Sequence, residues 1–283
     1  MRKVETLLAA AICAWMLNAA VFAAGEFKGN WTLMPSKEAG KVQFGLFHRH
    51  DGGNSHSENA WPANAFQGLD LATRARHDVK FTIARDAGRF DCDGYLTEGE
   101  GAGIFRFTPD SKFAGEMSDL GFDGIDENKQ FAMAVHDVTL EFARTMKAEK
   151  LSGFDTEKLI AFRIFDVNPQ FIREMRAEGL SATDSDSLIA FRVHGVSSRM
   201  VRELKNAGIE VDEDRLIAFR VHGVTPEFAA KVEAMGFKDV EPDQLIAMRV
   251  HGVTPEFISE MKSRGLKDLS IDKLVALRVH GID

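Results

Sequence analysis

The stretch LIAMRVHGVTPEFISEM, residues 245–261, reads as two helices meeting at a tight hinge. Its first half is an apolar helical run that stops at His251-Gly252. Its second half opens on Thr254-Pro255-Glu256, each suited to a helix start. The hydroxyl can cap, the proline sits where its missing N–H costs nothing, and the carboxylate is favoured by the helix dipole. Val253 and Ile258 have the spacing of a hydrophobic staple, and Gly265 supplies a left-handed stop. The histidine in the bend either carries chemistry or marks where the first helix ends.

Variants of this stretch recur. The hinge histidine returns at His136, His194, His222, His251 and His280, with Phe165 in the one gap, at spacings of 29, 29, 28, 29 and 29. Lys150, Gly179, Gly208, Gly236 and Gly265 form a second column, and Asp155, Asp184, Asp212, Glu241 and Ser270 a third. Extending the period backwards adds a degenerate copy through Phe113, Gly121 and Asp126, as expected of a capping repeat. Six units then start near residues 108, 137, 166, 195, 223 and 252. Each is a helical hairpin of two helices, A then B, about 15 Å long, too short to bury an apolar face alone. Stacking solves this, with neighbours about 8–10 Å apart, so residues 108–283 are expected to form an α-solenoid.

Residues 24–107 have another rhythm. Val42, Phe44 and Leu46 alternate, as do Val79, Phe81 and Ile83, then Phe90, Cys92 and Leu96, then Phe105 and Phe107. Period two between glycine and aspartate clusters predicts about five antiparallel strands in a small sheet or sandwich. Asp51–Pro62 reads as a polar loop, and Leu69–Arg76 as a short helix. The fold class is therefore α+β and multidomain.

The N-terminus differs again. Arg2 and Lys3 precede an apolar run from Leu7 to Ala23, closing on Val21-Phe22-Ala23. This is the pattern of a secretory signal peptide over residues 1–23, an uncleaved anchor being the alternative. Cleavage leaves 33 basic against 42 acidic residues, a net charge of about −9 where the whole chain carries −8. Such an acidic chain repels phosphate backbones, which argues against nucleic acid as a partner. Cys92 would be the only cysteine left, so stability must come from packing. The expected location is periplasmic or secreted.

Candidate chemistry is sparse. A donor at a helix C-terminus is favoured by the last carbonyls, which gives the hinge histidines a structural reading. Arg163, Arg192, Arg220, Arg249 and Arg278 lie inside the apolar arc of each helix B, where an unpaired charge is expensive. They read as braces, with Glu227 and Glu256 at the next helix start as partners for Arg220 and Arg249, or as a ladder facing an acidic partner. HRHDGGNSH (residues 48–56) offers His48, His50, Asp51 and His56 as metal ligands, against the plainer reading of a polar strand end. The glycines of EGEGAG (98–103) fit a crowded strand rather than a phosphate loop. SIDK (270–273) sits in the helix N-cap column and has no Lys-Thr-Gly companion. No cofactor is expected. The last helix has no following unit, which leaves Leu274, Val275 and Leu277 as a possible dimer or docking surface.

Two stretches carry a resemblance: LIAMRVHGVTPEF (245–257) with its copies, and RDAGRFDCDGYLTEGEGAGIFRFTPDSKF (85–113). They resemble the extracytoplasmic C-terminal region attached to bacterial antirepressor-type membrane metallopeptidases of the β-lactam-sensor class, over residues 29 to 283. The resemblance implies an envelope sensing or docking region. The protease's zinc motif and membrane helices are missing, so no activity carries over. The expectation is a non-enzymatic interaction protein whose partner is an envelope protein, with the metal site as the alternative. The membrane enters only if the signal segment stays attached.

Overall fold

The computed structural model describes residues 27–50, 53–210, 212–266 and 269–281, so the expected signal segment lies outside the described residues. Two compact units emerge. The first runs to Ala148 and includes Asp155–Ile164; the second comprises Glu149–Phe154 and everything from Phe165. The division therefore falls inside the repeats and not where the strands give way to helices at residue 108.

The first unit holds six strands: β1 (Phe27–Pro35), β2 (Lys41–His50), β3 (Gly53–Pro62), β4 (His77–Arg85), β5 (Gly88–Thr97) and β6 (Glu100–Pro109). They form one antiparallel sheet in the order β3-β2-β1-β6-β5-β4. Alternation places Trp31, Leu33, Phe44, Leu46, Phe81, Ile83, Phe90 and Phe105 on the buried face. Two expectations fail. The expected polar loop at 51–62 is mostly strand β3, because its alternating small and polar residues suit an edge strand whose one large apolar residue, Trp61, faces the core. No helix spans 69–76; a single turn at Ala63–Ala65 precedes an irregular segment.

This sheet is rolled. Four strand steps separate β2 from β4, about 19 Å in a flat sheet, yet the Phe44 and Phe81 rings lie 6.2 Å apart. Trp61 on β3 and Phe90 on β5 are likewise separated by 6.3 Å. Gln67 exchanges both backbone hydrogen bonds with Thr82, covering part of the β4 edge. Tight curvature needs room inside, and two paired glycines provide it. The Trp31 indole lies over Gly94 and Gly103 and donates from Nε1 to the Asp93 carbonyl at 3.1 Å. The crowded-strand reading of the EGEGAG glycines fits this geometry at Gly103.

Twelve helices follow among the described residues. In the first unit these are α1 (Phe113–Asp119), α2 (Glu127–Val135), α3 (Leu140–Ala148) and α4 (Thr156–Ile164). The second unit holds α5 (Pro169–Ala177), α6 (Ser185–His194), α7 (Ser198–Asn206), α8 (Glu213–His222), α9 (Pro226–Ala234), α10 (Pro242–Val250), α11 (Pro255–Ser263) and α12 (Ile271–Val279). They pair as six hairpins, odd-numbered helices being A and even-numbered ones B. Within the second unit α6, α8, α10 and α12 stack in one layer, and α5, α7 and α9 in another.

Start signals behave as the sequence implies. Asp126, Asp184, Asp212 and Ser270 accept from the third helical N–H of each helix B, and Asn168, Ser197, Thr225 and Thr254 do the same for helix A. Helix α2 docks on the sheet. Phe131 stacks among Phe27, Phe105 and Phe107, while the Gln130 amide donates to the carbonyls of Ala87 and Asp110 at 2.8 and 2.6 Å.

Gly94→Ala tests the rolled sheet. A methyl there would lie 2.3 Å from the Ala102 oxygen and 2.5 Å from Trp31 Cζ2. The expected loss is about 1–3 kcal/mol, read as a lower urea midpoint; an unchanged midpoint would contradict the packing.

Candidate functional site

A helix leaves its last four carbonyls without intrahelical partners. At the end of α6, Val196 N–H donates to the Phe191 carbonyl at 2.8 Å and Gly195 N–H to Arg192 at 3.2 Å, with Gly195 at φ 71°. This is a Schellman stop. The same pair of bonds closes α8 at Gly223-Val224 and α10 at Gly252-Val253. The histidine occupies the last position before the left-handed residue. Its backbone carbonyl is what the stop leaves over.

Two arginines of the column take that carbonyl. Arg163 Nε donates to the His136 carbonyl at 3.1 Å, and Arg220 Nε to that of His194 at 3.0 Å. Where the left-handed residue is aspartate, the guanidinium also meets its carboxylate: Arg163 to Asp137 at 3.1 Å and Arg192 to Asp166 at 3.2 Å. Where it is glycine, the guanidinium packs on the bare backbone; a Cβ on Gly195 would sit 2.9 Å from Arg220 Nη2. The face of four of the arginines rests on the aromatic ring of the preceding helix A; before Arg220 that position is Met200. Arg163 lies 5.1 Å from Phe142, Arg192 4.0 Å from Phe171, Arg249 4.9 Å from Phe228 and Arg278 3.9 Å from Phe257.

The arginines therefore reach back to the preceding hinge, whereas the sequence suggested partners ahead of them. Glu227 is held low in pKa by its own helix N-terminus and Thr225, with Arg199 and Lys231 nearby; Glu256 is held low by its own N-terminus, Thr254 and Lys231. Neither depends on Arg220 or Arg249.

A second cation column does the same at the other end of the hairpins, and the sequence reading missed it. Arg176 donates to the Glu149 carbonyl at 3.1 Å, Lys205 to that of Glu178 and Lys262 to that of Met235 at 2.7 Å. The 27-residue separation was visible, but only as lysines scattered on a charged face. Unit five breaks this column with Glu233.

The metal candidates separate. In the β2–β3 register His56 lies opposite Phe47 and His48 opposite Ser55, which puts the two rings on opposite faces. His48 stacks on Phe27 at 5.2 Å and sits 2.9 Å from the Lys28 carbonyl; His56 stacks on Phe47 at 4.2 Å. The His50 side chain and Asp51 lie outside the described residues. Among the described residues no three His, Cys, Asp or Glu side chains gather as metal ligands. At the end of the array Leu274 is fully buried and Leu277 only half-buried, because α10 and α11 already cover that face of α12.

What remains is a contrast between layers in the second unit. Helix A exposes charge: Arg199, Arg202 and Lys205 on α7, Lys231 and Glu233 on α9, Glu260 and Lys262 on α11. Helix B exposes apolar residues beside its charged ones. Leu216 and Phe219 of α8 are buried, but Val221, Val250 and Val279 are 48%, 52% and 57% exposed. One turn before them lie the half-buried Ile217, Ile246 and Val275. No protein family matches the chain, and no curated protein matches it either.

Two measurements check the capping scheme. Arg220→Met is expected to cost about 1 kcal/mol, while His222→Gln leaves stability within about 0.5 kcal/mol; Glu233→Lys, which restores the broken column, adds about 0.3–1 kcal/mol. Equal losses at Arg220 and His222 would contradict it. His136 gives a pH test. Desolvation, with Arg163 beside the ring, holds its pKa down at about 4. Between the ordinary value near 6.5 and 4 the unfolded chain binds the proton that the folded chain refuses, so stability falls as pH drops through that window. His136→Phe, copying Phe165, removes that part of the slope in urea midpoints measured from pH 7 to 4. Persistence of the full slope would contradict the assignment.

Proposed function

We propose that the protein is a non-enzymatic interaction module of the bacterial envelope, periplasmic or secreted, and that it docks an envelope protein on its helix-B layer. The observation that carries this reading is the row of exposed valines at 221, 250 and 279 on helices that bury Leu216, Phe219, Leu245, Met248 and Leu274 on their inner faces. An ordinary solvent-facing helix would place charge there, as helix A does. Repeat arrays characteristically offer extended surfaces of this kind. An apolar patch kept on a surface marks an interaction site more often than an accident.

The signal-like sequence at residues 1–23 supports the location, as does the resemblance to the extracytoplasmic region of antirepressor-type metallopeptidases. The arginines, enlisted as braces, are placed beside the docking layer and not at its centre.

Capture from a native envelope fraction tests the reading. Immobilised protein is expected to retain a discrete partner that Val221→Glu/Val250→Glu loses, with the helical circular dichroism of the variant unchanged. Identical retention by both proteins would overturn it.

A further inference from the structure

The outer face of the six-stranded sheet, away from the helix-B layer, combines exposed apolar residues with a row of cations. We propose that this face docks on a lipid bilayer whose surface bears anionic phospholipid headgroups.

Strand pairing builds the row. Alternation turns Lys28, Asn30, Thr32 and Met34 of β1 away from the aromatic core. Asn30 lies opposite Phe47 of β2 on one side and opposite Ile104 of β6 on the other. Two residues along, about 6.6–6.8 Å, Lys28 lies opposite Arg106. The register that sets Gly29 against His48 brings Arg49 to the other side of Lys28. All three cations are exposed. Like charges directly across a ladder cost stability, and an anionic surface above the row turns that cost into attraction.

The acids of this face are set apart from the row. Asp91, opposite Arg106, is bonded by Arg89 at 3.0 Å, and Asp93 pairs with Lys80 at 3.0 Å. Glu58 lies opposite Gly45 and Asp78 opposite Tyr95, each four residues from the row. That separation, about 13 Å, exceeds the screening length of about 8 Å at physiological ionic strength. The row therefore acts as a basic patch on a chain of net charge −8.

Apolar side chains supply the other half of a membrane contact. Met34, Phe47, Tyr95 and Ile104 are the large apolar residues exposed in the first unit among the described residues, and alternation puts all four on this face. Phe47 and Ile104 stand one row from the cations. Apolar groups can enter the headgroup region there while lysine and arginine reach the phosphates. The sequence ahead of the sheet points to the same occupant. The apolar run Leu7–Ala23 ends three residues before Phe27, a reach of at most about 14 Å. Lys28 is the first outward residue of β1, so the cations lie at the end of the sheet that this run adjoins in the chain.

Co-sedimentation of the full-length chain tests this with vesicles of phosphatidylcholine, alone or with a third of phosphatidylglycerol. The apolar run contributes to both, so the readout is the ratio of the two affinities. These vesicles contain no protein, which makes the outcome independent of docking on helix B. The anionic vesicles are expected to bind at least tenfold tighter. Lys28→Gln/Arg49→Gln/Arg106→Gln is expected to bring the ratio close to one, with its urea midpoint showing that it folds. Arg144→Gln/Arg173→Gln/Lys231→Gln, which neutralises three exposed helix cations, is expected to leave the ratio unchanged. Phe47→Ser/Ile104→Ser is expected to weaken binding to the anionic vesicles at least threefold. A ratio near one for the unaltered chain overturns the proposal, as does a ratio that the sheet triple leaves intact. Equal losses in both triples make the attraction general and overturn the site. Unchanged binding of Phe47→Ser/Ile104→Ser overturns the apolar contact.

Discussion

Backbone carbonyls at helix ends are the recurring problem of the twelve short helices among the described residues, and donors borrowed from the following repeat are a solution to it. The Schellman turn satisfies two carbonyls of helix B locally, and the arginine of the following helix B reaches the one at the hinge, as Arg163 does for His136 and Arg220 for His194. Lysine or arginine near the end of helix A treats the preceding helix A alike. A cation at a helix C-terminus is favoured by the dipole as well as by the hydrogen bond. Where these bonds form, a hairpin is completed by the one after it. Stability of such an array is a sum of repeats and neighbour interfaces, and here the interface term has named donors.

The start of the array obeys the same constraint from the other side. Unit one has no hairpin before it, and the arginine column holds Ala134 instead, fully buried. Its contacts go to the sheet: Gln130 to the carbonyls of Ala87 and Asp110, and Phe131 into the aromatic seam around Phe27 and Phe107. Asp137 is held from both directions, by Arg85 of β4 and by Arg163 of α4 at 3.1 Å each. The sheet thus does for unit one what a repeat does elsewhere, and its rolled form gives the inner aromatic face a closed core.

Much of this was legible in the sequence. The 28–29-residue period, the capping columns, the hairpin form and most strands followed from spacing alone, because caps and alternation are local rules. Strand β3 was not, since Gly53–Pro62 alternates small and polar residues and has one large apolar anchor, Trp61. The direction of the arginines was not legible either. Glu227 and Glu256 lie close in sequence, whereas the hinge carbonyl that an arginine actually meets is 26 or 27 residues back and has no side-chain signature. His48 and His56 looked convergent until pairing fixed their faces, because a one-residue difference in register decides which side a strand residue takes. The exposed valines were hidden by their own pattern: an apolar helix reads as buried on all sides until neighbours are placed around it.

Site-resolved hydrogen exchange in the Arg220→Met variant tests the central claim most directly. Completion of one hairpin by the next predicts that protection falls most at the amides of Gly195 and Val196, in the hinge preceding the substituted helix, with α8 itself less affected. Loss of protection confined to α8, with the 195–196 hinge unchanged, would contradict the account.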